Sequence, residues 1–430
     1  MKKVAQKPPM GWNSWDCYAA TVTEEQLLNN AEYMKKHLLS HGWEYVVCDI
    51  QWSEPGAGTT AWEYRPMAPL NMDEWGRLIP AENRFPSSAG GRGFKPIADK
   101  IHAMGLKFGI HLMRGLPRAA AHARLPVFGC EGVTADQIVN PFSVCKWNSD
   151  MYGIEYKNHG AQGYYDSIFK LYAEWEVDFI KIDDICNTNL HAHTPYSAKR
   201  EIEMIHKAID KCGRPMVLSL SPGPAVIEEA WHLKKHAEMW RITDDFWDRW
   251  PLLENMFRRC EVWQHHVGPG SWPDCDMLPL GHIGIGHKDP RQTRFTKAEQ
   301  LTMMNLWCIF RSPLMMGGEM NDNTDWTLSL MTNADVLSVN QDGANPRQIA
   351  FQDGYAIWAS DAPCGSVNLA LFNLSDKTAT VQCAISEILP NAKSCTATDL
   401  WNGENVIVTG ENIAAELEPH GSVMYRCKLI

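Results

Sequence analysis

The amino-acid sequence predicts a (β/α)8 TIM barrel followed by a C-terminal antiparallel β-sandwich. Over the first three quarters of the chain, eight short apolar runs alternate with amphipathic helical stretches, which is the pattern of a parallel α/β sheet. Beyond about residue 339, short alternating runs separated by turn residues are typical of a β-sandwich. A chain of 430 residues also exceeds the size at which one core keeps growing. We therefore predict a barrel domain over 1–335 and a sandwich domain over 336–430.

The predicted elements follow the chain in strand–helix order. The eight barrel strands are expected at 10–15, 45–50, 106–111, 177–184, 215–220, 237–241, 270–277 and 312–316. The helices between them are expected at 23–41, with an N-cap at Thr23, and at 95–104, 164–176, 198–212, 250–264 and 297–309, with a short helical piece before the sixth strand. In the sandwich, strands are expected at 355–359, 366–372, 378–381 and 422–425.

One long segment interrupts this alternation. Residues 115–163 are rich in His, Pro, Gly and aromatic side chains. Loops of this length inside a compact domain are usually functional or form lids. We therefore predict a long loop here, and its role stays open.

Composition and charge exclude some classes of partner. The net charge of −11 argues against nucleic acid and against an anionic membrane surface. No apolar run reaches membrane-spanning length, and no apolar stretch follows Lys2 and Lys3 as in a signal peptide. The 13 cysteines lack CxxC spacing and favour a reducing compartment. We expect a cytoplasmic protein, with export left open, and the sequence leaves a homo-oligomer open as well.

The fourth predicted strand ends in charged residues. Residues two apart on a strand point to the same face, so Lys181 and Asp183 share one face while Ile180 and Ile182 take the other. A carboxylate beside an ammonium has a low pKa and stays ionised, which is the state that a carboxylate nucleophile needs. A structural ion pair that closes the strand is an equally good interpretation of this stretch alone.

Polar side chains gather where the predicted strands end. In a barrel of this kind the active site lies at the carboxyl ends of the strands. The residues that fall there are Trp15, Asp16, Asp49, His111, Lys181, Asp183, Asp184, Ser221, Arg241, Asp245, Asp274 and Asp276. Such convergence is not expected of random surface charge, and it predicts one site.

Two carboxyl groups in different states are the requirement for glycoside hydrolysis. Asp183 beside Lys181 suits the ionised role. Asp244 and Asp245 are adjacent acids, and crowded carboxylates raise one another's pKa, which suits a general acid. The alternative is that one of these two caps the following helix.

Several motifs, in order along the chain, resemble glycoside hydrolase family 27, the α-galactosidase and α-N-acetylgalactosaminidase family. They cover roughly residues 8–345 and comprise Pro9-Met10-Gly11-Trp12-Asn13-Ser14-Trp15, Lys181-x-Asp183, Trp240-Arg241-x-x-x-Asp245, Gly270-x-Trp272-x-Asp274-x-Asp276-Met277, Ser312-Pro313-Leu314 and Val339-Asn340-Gln341-Asp342. The resemblance implies a retaining exo-glycosidase that cleaves a terminal α-D-galactosyl-type residue by double displacement. It implies no metal and no organic cofactor.

The resemblance also implies roles for individual residues. Asp183 would be the nucleophile and Asp245 the general acid/base, with their carboxyls about 5–5.5 Å apart. Lys181 and Arg241 would hold sugar hydroxyls and steady the carboxylates. The remaining substrate contacts implied are Trp15 on the apolar face of the sugar, Asp49 on a hydroxyl at the far rim and Asp276 near the cleavage site.

Three departures from the family pattern concern the sugar itself. Ile50 stands where the family usually has a second Asp that binds O4 and O6 of galactose. Ile50 cannot accept those bonds, whereas it would pack against the bare C5 of β-L-arabinopyranose, which predicts a β-L-arabinopyranosidase or a dual specificity. Small Ser221 and Ala225 resemble the α-N-acetylgalactosaminidase branch, which is the alternative. His111 replaces a common Tyr, either as a hydroxyl contact or as a strand cap.

Other classes of protein stay open at this stage. A barrel lyase would use Lys181 as a Schiff-base amine and leave Asp245 without a role. A non-catalytic sugar-binding relative is a second rival. A metal site built on His191 and His193, or on His265 and His266, is a weaker third, because no acid or Cys stands at ligand spacing.

Overall fold

Eight parallel strands form the central sheet of the computed structural model, which describes residues 4–58, 65, 67–188, 193–352, 354–390 and 392–430. The strands are β1 (Met10–Asn13), β2 (Tyr45–Cys48), β3 (Lys107–Met113), β4 (Phe179–Asp183), β5 (Val217–Leu220), β6 (Met239–Arg241), β7 (Trp272–Asp274) and β8 (Leu314–Met316). They neighbour one another in the order β7-β6-β5-β4-β3-β2-β1-β8.

The sheet curls until its two outer strands meet. Leu278, just beyond β7, forms a parallel bridge with Met316 of β8. Its N–H donates to the carbonyl oxygen of Met315 at 2.8 Å, and its own carbonyl accepts from the N–H of Gly317 at 3.0 Å. The predicted (β/α)8 barrel is therefore confirmed.

One helix follows each barrel strand. These helices are α1 (Glu24–His37), α2 (Lys95–Ala103), α3 (Ala161–Glu174), α4 (Lys199–Cys212), α5 (Ala230–His236), α6 (Trp250–Trp263), α7 (Lys297–Phe310) and α8 (Asp325–Thr332), and α9 (Ala334–Asp342) leads into the sandwich. Shorter helical segments and turns occupy Trp15–Tyr18, Leu39–His41, Pro86–Ser88, Arg118–His122, Ala135–Gln137, Ile227–Glu229, Gln264–His266, Met320–Asp322, Pro363–Gly365 and Ile385–Ile388. No helix of the described residues is long and apolar enough to cross a membrane.

The start of α1 is confirmed where the sequence places it. The Thr23 hydroxyl accepts from the N–H of Gln26 at 3.4 Å, and the Gln26 side chain accepts from the N–H of Thr23 at 3.0 Å. This reciprocal pair is a capping box, which satisfies two backbone donors that the helix itself cannot. The helix ends at His37 rather than near residue 41, because a short turn over Leu39–His41 follows it.

The segment 115–163 is not a long loop, so that prediction is wrong. It contains a three-stranded antiparallel sheet made of Leu116–Pro117, Met151–Ile154 and Val139–Val144. The two longer strands pair out of regular register between Asn140 and Val144. This irregularity breaks the period-two pattern by which a strand is found in a sequence.

Eight antiparallel strands form the C-terminal β-sandwich, which confirms that part of the fold. They are β9 (Ala344–Gln352), β10 (Tyr355–Asp361), β11 (Val367–Asn373), β12 (Ala379–Ala384), β13 (Cys395–Asp399), β14 (Asn405–Val408), β15 (Asn412–Leu417) and β16 (Ser422–Leu429). One sheet has the order β9-β10-β11-β16-β13-β14, and β12 pairs with β15 in the other. The hairpin strands His282–Ile283 and Arg291–Gln292 lie outside both domains' main sheets.

Helix α9 crosses the boundary that the sequence places between residues 335 and 336. It stays bonded to the barrel, since the carbonyl of Asn340 accepts from Nε of Arg311 at 2.7 Å. Its Gln341 side chain donates to the carbonyl of Pro8 at 3.0 Å. The division at this boundary stays a prediction.

The inside of the barrel is an apolar cluster that supports the site above it. Strand residues such as Val47, Phe179, Val217 and Met239 form it. Ile50 belongs to the same cluster, beyond the end of β2. The residues at the carboxyl ends of the strands therefore rest on a packed floor.

Gly11 allows β1 and β2 to approach each other closely. A Cβ atom at this position would lie 2.3 Å from the carbonyl oxygen of Tyr45. Because the obstacle is backbone, Gly11→Ala is expected to lower the free energy of unfolding by about 1–3 kcal/mol. Urea unfolding followed by tryptophan fluorescence measures this change. At Gly410 a Cβ would meet no atom within 4 Å, so Gly410→Ala is the matched control, and equal stability of the two variants would contradict the explanation.

Candidate active site

A cavity of about 270 Å³ opens where barrel strands end. Its lining residues are Trp15, Asp49, Ile50, Trp147, Lys181, Asp183, Pro222, Asp244 and Asp245. Ten residues are predicted to be catalytic or to contact the substrate, namely Trp15, Asp49, Ile50, His111, Lys181, Asp183, Ser221, Arg241, Asp245 and Asp276, and six of them are among the lining residues. The other four, His111, Ser221, Arg241 and Asp276, are buried and bonded to one another or to lining residues. The structure thus brings all ten together, while their roles stay predictions.

The Lys181 ammonium lies between two carboxylates. Its Nζ is 2.9 Å from Oδ2 of Asp49 and 3.7 Å from Oδ2 of Asp183. Asp49 is therefore its hydrogen-bonded partner, although Asp183 is nearer in sequence. The long lysine side chain reaches from β4 across β3 to the end of β2. This contact is possible because β2, β3 and β4 are consecutive strands in the sheet.

His111 makes the short contact to Asp183. It lies opposite Lys181 in the register of β3 and β4, and its Nε2 is 2.7 Å from Oδ2 of Asp183. Burial opposes ionisation of Asp183, but Lys181, His111 and a hydrogen bond from Ser221 outweigh it and hold the pKa of Asp183 well below its usual value. Asp183 is therefore ionised at neutral pH.

Asp49 is fixed by the end of β1. The Asn13 side-chain amide donates to Oδ2 of Asp49 at 2.8 Å, and the N–H of Asp49 donates to the Ser14 hydroxyl at 3.0 Å. Oδ1 of Asp49 accepts from the N–H of Ile50 at 2.8 Å. Burial raises the pKa of Asp49, but the charge and the hydrogen bond of Lys181 act in the opposite direction. The resulting pKa of Asp49 is below its usual value, and this carboxylate is also ionised.

Arg241 connects the second acid to the rest of the site. Its Nη2 is 3.0 Å from Oδ1 of Asp245, and its Nη1 is 3.0 Å from Oδ1 of Asp276 and 3.3 Å from the Ser221 hydroxyl. Because Ser221 also bonds to Asp183, a chain of polar contacts runs between the carboxylates of Asp183 and Asp245. Arg241 is buried, whereas the Asp245 side chain is 49% exposed at the mouth of the cavity.

The helix-cap alternative for Asp244 and Asp245 is wrong. Helix α6 begins at Trp250, and its N-cap is Arg249. The Asp244 carboxylate instead accepts from the N–H of Asp245 at 3.0 Å. Both acids therefore belong to the loop that borders the cavity.

Buried acids near Arg241 outnumber its single positive charge. Burial raises the pKa of Asp16 and of Asp274. It also raises the pKa of Asp276 to about 7, with Arg241 opposing the rise and Asp245 and Asp274 adding to it. Asp276 therefore holds a proton over much of the acid range.

Ile50 and Trp15 give the cavity an apolar side. Ile50 is 2% exposed and belongs to the apolar cluster that fills the barrel. Trp15 belongs to the same cluster, and its ring meets that of His287 edge-on, with centroids 5.0 Å apart. A saturated sugar face can pack against such a surface.

Sequence reasoning missed Asn13, Trp147 and Pro222. Asn13 lies inside the first motif, beside the residues that were assigned roles, so its signal was present in the sequence. Pro222 directly follows Ser221 and lines the cavity. Trp147 lies in the segment 115–163, whose fold the sequence did not reveal, so it had no usable signal.

Among the described residues, two groups of three have donor atoms close enough for a metal ion. One is Asp49, His111 and Asp183, whose donor atoms lie within 4.8 Å of one another. Lys181 already supplies a positive charge there. The other is the more exposed group Asp99, His102 and Glu176. Of the predicted histidine pairs, His191 lies outside the described residues.

Comparisons with known proteins agree with this geometry. The family model "Alpha galactosidase A" matches residues 149–342, and "Alpha galactosidase C-terminal beta sandwich domain" matches residues 352–427. A GH27 β-L-arabinopyranosidase from Geobacillus stearothermophilus is 53% identical, with a TM-score of 0.95 and coverage of 99% of this chain and 97% of that one. A Bacillus halodurans C-125 structure, provisionally described as an α-N-acetylgalactosaminidase, is 50% identical, with a TM-score of 0.89 and full coverage of both chains. The α-galactosidase of Cyamopsis tetragonoloba is 27% identical over 98% of this chain and 86% of its own length.

The raised pKa of Asp276 predicts a specific pH dependence of stability. The unfolded chain loses this proton near pH 3.8, whereas the folded protein keeps it to about pH 7, so this group lowers stability as pH rises between those values. Asp276→Asn cannot ionise and escapes this loss. The free energy of unfolding of the variant, relative to wild type, is therefore expected to rise from pH 4 to pH 7 and then level off. Urea titrations at several pH values measure it, and a difference that stays constant or shrinks over that range would contradict the assignment.

Proposed function

The chain belongs to glycoside hydrolase family 27, and we propose that it is a β-L-arabinopyranosidase of that family that works with retention of configuration. It is a glycosidase, and its substrate is a carbohydrate. The sugar that it removes and the roles of its residues are the proposal. They rest on the contacts of Asp183, Asp245 and Ile50.

Ile50 is the observation that carries the choice of sugar. It lines the cavity beside Asp49, Lys181 and Asp183. A galactose hydroxymethyl facing Ile50 would lose a hydrogen-bond partner at a cost of about 1–3 kcal/mol. β-L-Arabinopyranose has the same ring hydroxyls without that group, so its bare C5 packs against Ile50 with no unpaired polar atom. The 53% identical neighbour, which is described as a β-L-arabinopyranosidase, supports this choice.

The first half of the reaction needs an ionised nucleophile and a proton donor. An Asp183 oxygen attacks the anomeric carbon while the bond from that carbon to the leaving oxygen breaks. The leaving oxygen keeps the electron pair and takes a proton from Asp245, at the mouth of the cavity. The sugar is then an ester of Asp183. The low pKa of Asp183 supports the nucleophilic role.

The second half reverses these roles. A water molecule attacks the anomeric carbon while the Asp245 carboxylate takes its proton. The bond to Asp183 breaks, and its electron pair returns to the carboxylate. The contact of Arg241 with Asp245 stabilises the carboxylate that this step needs.

The roles of the binding residues are part of the proposal, and their contacts support it. Asp49 and Lys181, which line the cavity, hold sugar hydroxyls, and Trp15 packs on the apolar face of the ring. His111 and Ser221 act on Asp183 itself. Arg241 holds a sugar hydroxyl and also fixes the position of Asp245, while Asp276, the other partner of Arg241, lies near the cleavage site.

A second sugar is favoured by a different observation. Ser221 and Ala225 are small and buried, and they flank Pro222, which lines the cavity; small residues here are the feature that resembles the family branch accepting an N-acetyl group at C2. The 50% identical neighbour carries the corresponding provisional description. α-N-Acetylgalactosaminidase activity is therefore the second candidate. Nitrophenyl α-N-acetylgalactosaminide tests it, and no turnover at high enzyme concentration would remove it.

The lyase alternative conflicts with the electrostatics of Lys181. A Schiff-base lysine needs a neutral amine. Burial favours the neutral form of Lys181, but Asp49 and Asp183 outweigh it and raise its pKa above the usual value. The amine therefore stays protonated.

The catalytic roles of Asp183 and Asp245 are tested by alanine variants and azide. Asp183→Ala is expected to lose about 10³-fold or more in kcat, or about 4 kcal/mol, because no ester can form. Azide should then give a glycosyl azide of inverted configuration. Asp245→Ala should lower kcat/KM by about 10²–10⁴-fold for substrates with poor leaving groups. The loss should be far smaller for a dinitrophenyl glycoside, because dinitrophenolate leaves without being protonated. Azide should there give a product of retained configuration.

Asp244→Ala is the matched control for these variants. Asp244 also borders the cavity and precedes Asp245, but it has no role in either step. It should keep the leaving-group dependence of wild type and give no azide product. Product configuration is read by proton NMR. Azide products from Asp244→Ala and none from Asp245→Ala would overturn the assignment.

Substrate preference tests the role of Ile50. Wild type should hydrolyse nitrophenyl β-L-arabinopyranoside with a higher kcat/KM than nitrophenyl α-D-galactoside, by about 5–150-fold for a difference of about 1–3 kcal/mol. Ile50→Asp should shift the ratio towards the galactoside, because the carboxylate accepts bonds from O4 and O6. Ile50→Val, which stays apolar, is the control and should keep the wild-type preference. A strong galactoside preference in wild type would contradict the proposal.

A further inference from the structure

Trp147 borders the cavity, and nothing in the proposed mechanism uses it. It lies between the strands Val139–Val144 and Met151–Ile154, which form the insertion hairpin, residues 139–154. The hairpin leaves the barrel after β3. In the sheet, β3 lies between β2 and β4. The hairpin therefore sits between the loop that carries Ile50 and the strand end that carries Asp183.

On the N-terminal side of Trp147, the hairpin is bonded through Arg114 to the end of β4, the strand that carries Asp183. Arg114 follows β3, and its Nη1 donates to the Ser143 hydroxyl of the hairpin at 2.8 Å. Its Nη2 donates to Oδ2 of Asp184 at 2.5 Å, and its backbone N–H donates to the carbonyl of Asp183 at 3.0 Å. Arg114 and Asp184 are both buried. Buried charge-assisted bonds of this kind fix relative position closely.

On the C-terminal side of Trp147, the hairpin is bonded through Asp150 to the loop after β2. The side-chain amide of Gln51, the residue after Ile50, donates to Oδ2 of Asp150 at 3.0 Å. Oδ1 of Asp150 accepts from the N–H of Ala68 at 3.1 Å. Asp150 and Gln51 are buried. Trp147 is thus held from both sides, at Ser143 and at Asp150.

The indole of Trp147 extends the apolar surface that Ile50 begins. It is half-buried and packs against the apolar cluster that contains Ile50, Met113, Cys145 and Met151. Aromatic rings held in this way present a rigid apolar face to a ligand. Ile50 and Trp147 therefore both add apolar surface to a cavity lining that also contains Asp49, Lys181 and Asp183.

We propose that Trp147 is a specificity-determining residue, which together with Ile50 forms a rigid apolar wall against C5 of the bound sugar. This wall favours a pentopyranose, which has no substituent there, over a hexopyranose with a hydroxymethyl group. The inference rests on the proposed function, because it assumes that C5 faces Ile50. It adds that the insertion hairpin, and not only the loop after β2, sets the preference.

The test is the ratio of kcat/KM for nitrophenyl β-L-arabinopyranoside to that for nitrophenyl α-D-galactoside. Trp147→Ala should lower this ratio at least about 10-fold, because the pentoside loses its packing surface while the hexoside gains space. Trp147→Phe keeps an aromatic face and should lower it less. Phe142→Ala is the matched control, since Phe142 lies on the same hairpin but is 88% exposed, and it should leave the ratio unchanged.

Thermal unfolding of each variant shows whether it is folded. If Trp147→Ala does not fold, Trp147→Leu and Trp147→Phe carry the same test. An unchanged ratio in folded variants, whether total activity falls or not, overturns the inference. Failure of the proposed function shows separately, as a wild-type enzyme that prefers the galactoside.

Discussion

The ammonium of Lys181, buried between the carboxylates of Asp49 and Asp183, is the interaction on which the site depends. A buried ammonium is costly unless it is paired, and a buried carboxylate is costly for the same reason. Here the Lys181 ammonium is paired with both carboxylates, and His111 makes a further contact with Asp183. The result is a buried carboxylate that stays ionised, which is the state that its proposed role as nucleophile requires. The same charge arrangement keeps the Lys181 amine protonated and so unavailable for Schiff-base chemistry.

Strand order makes this arrangement possible. β2, β3 and β4 are consecutive neighbours, so Asp49, His111 and the Lys181–Asp183 pair end at one edge of the barrel. β5 and β6 then bring Ser221 and Arg241 alongside, and Arg241 holds Asp245 at the mouth. Adjacent strands therefore supply both the buried charged group around Asp183 and the half-exposed Asp245, and the proposed mechanism needs the sugar between these two acids. The insertion after β3 closes the side between Ile50 and Asp183.

The sequence was sufficient where a local rule determines the outcome. Period-two alternation placed Lys181 and Asp183 on one face, and the departure at Ile50 was visible in its motif. The pairing of Lys181 with Asp49 was not visible, because it depends on which strands are neighbours. Strand β14 was missed because its four residues are largely exposed and show no alternation, and β9 because most of its residues are only half-buried. Trp147 was missed because the irregular register of its hairpin hides the strands on either side.

Trapping the covalent intermediate tests the central claim most directly. A fluorinated β-L-arabinopyranosyl compound with a good leaving group forms the ester faster than water can hydrolyse it. Mass spectrometry of the digested protein then locates the added mass. The account predicts one label per chain, on the carboxylate of Asp183 and absent from Asp183→Ala. A label on Asp49, on Lys181 or on any other side chain of the native enzyme would contradict it.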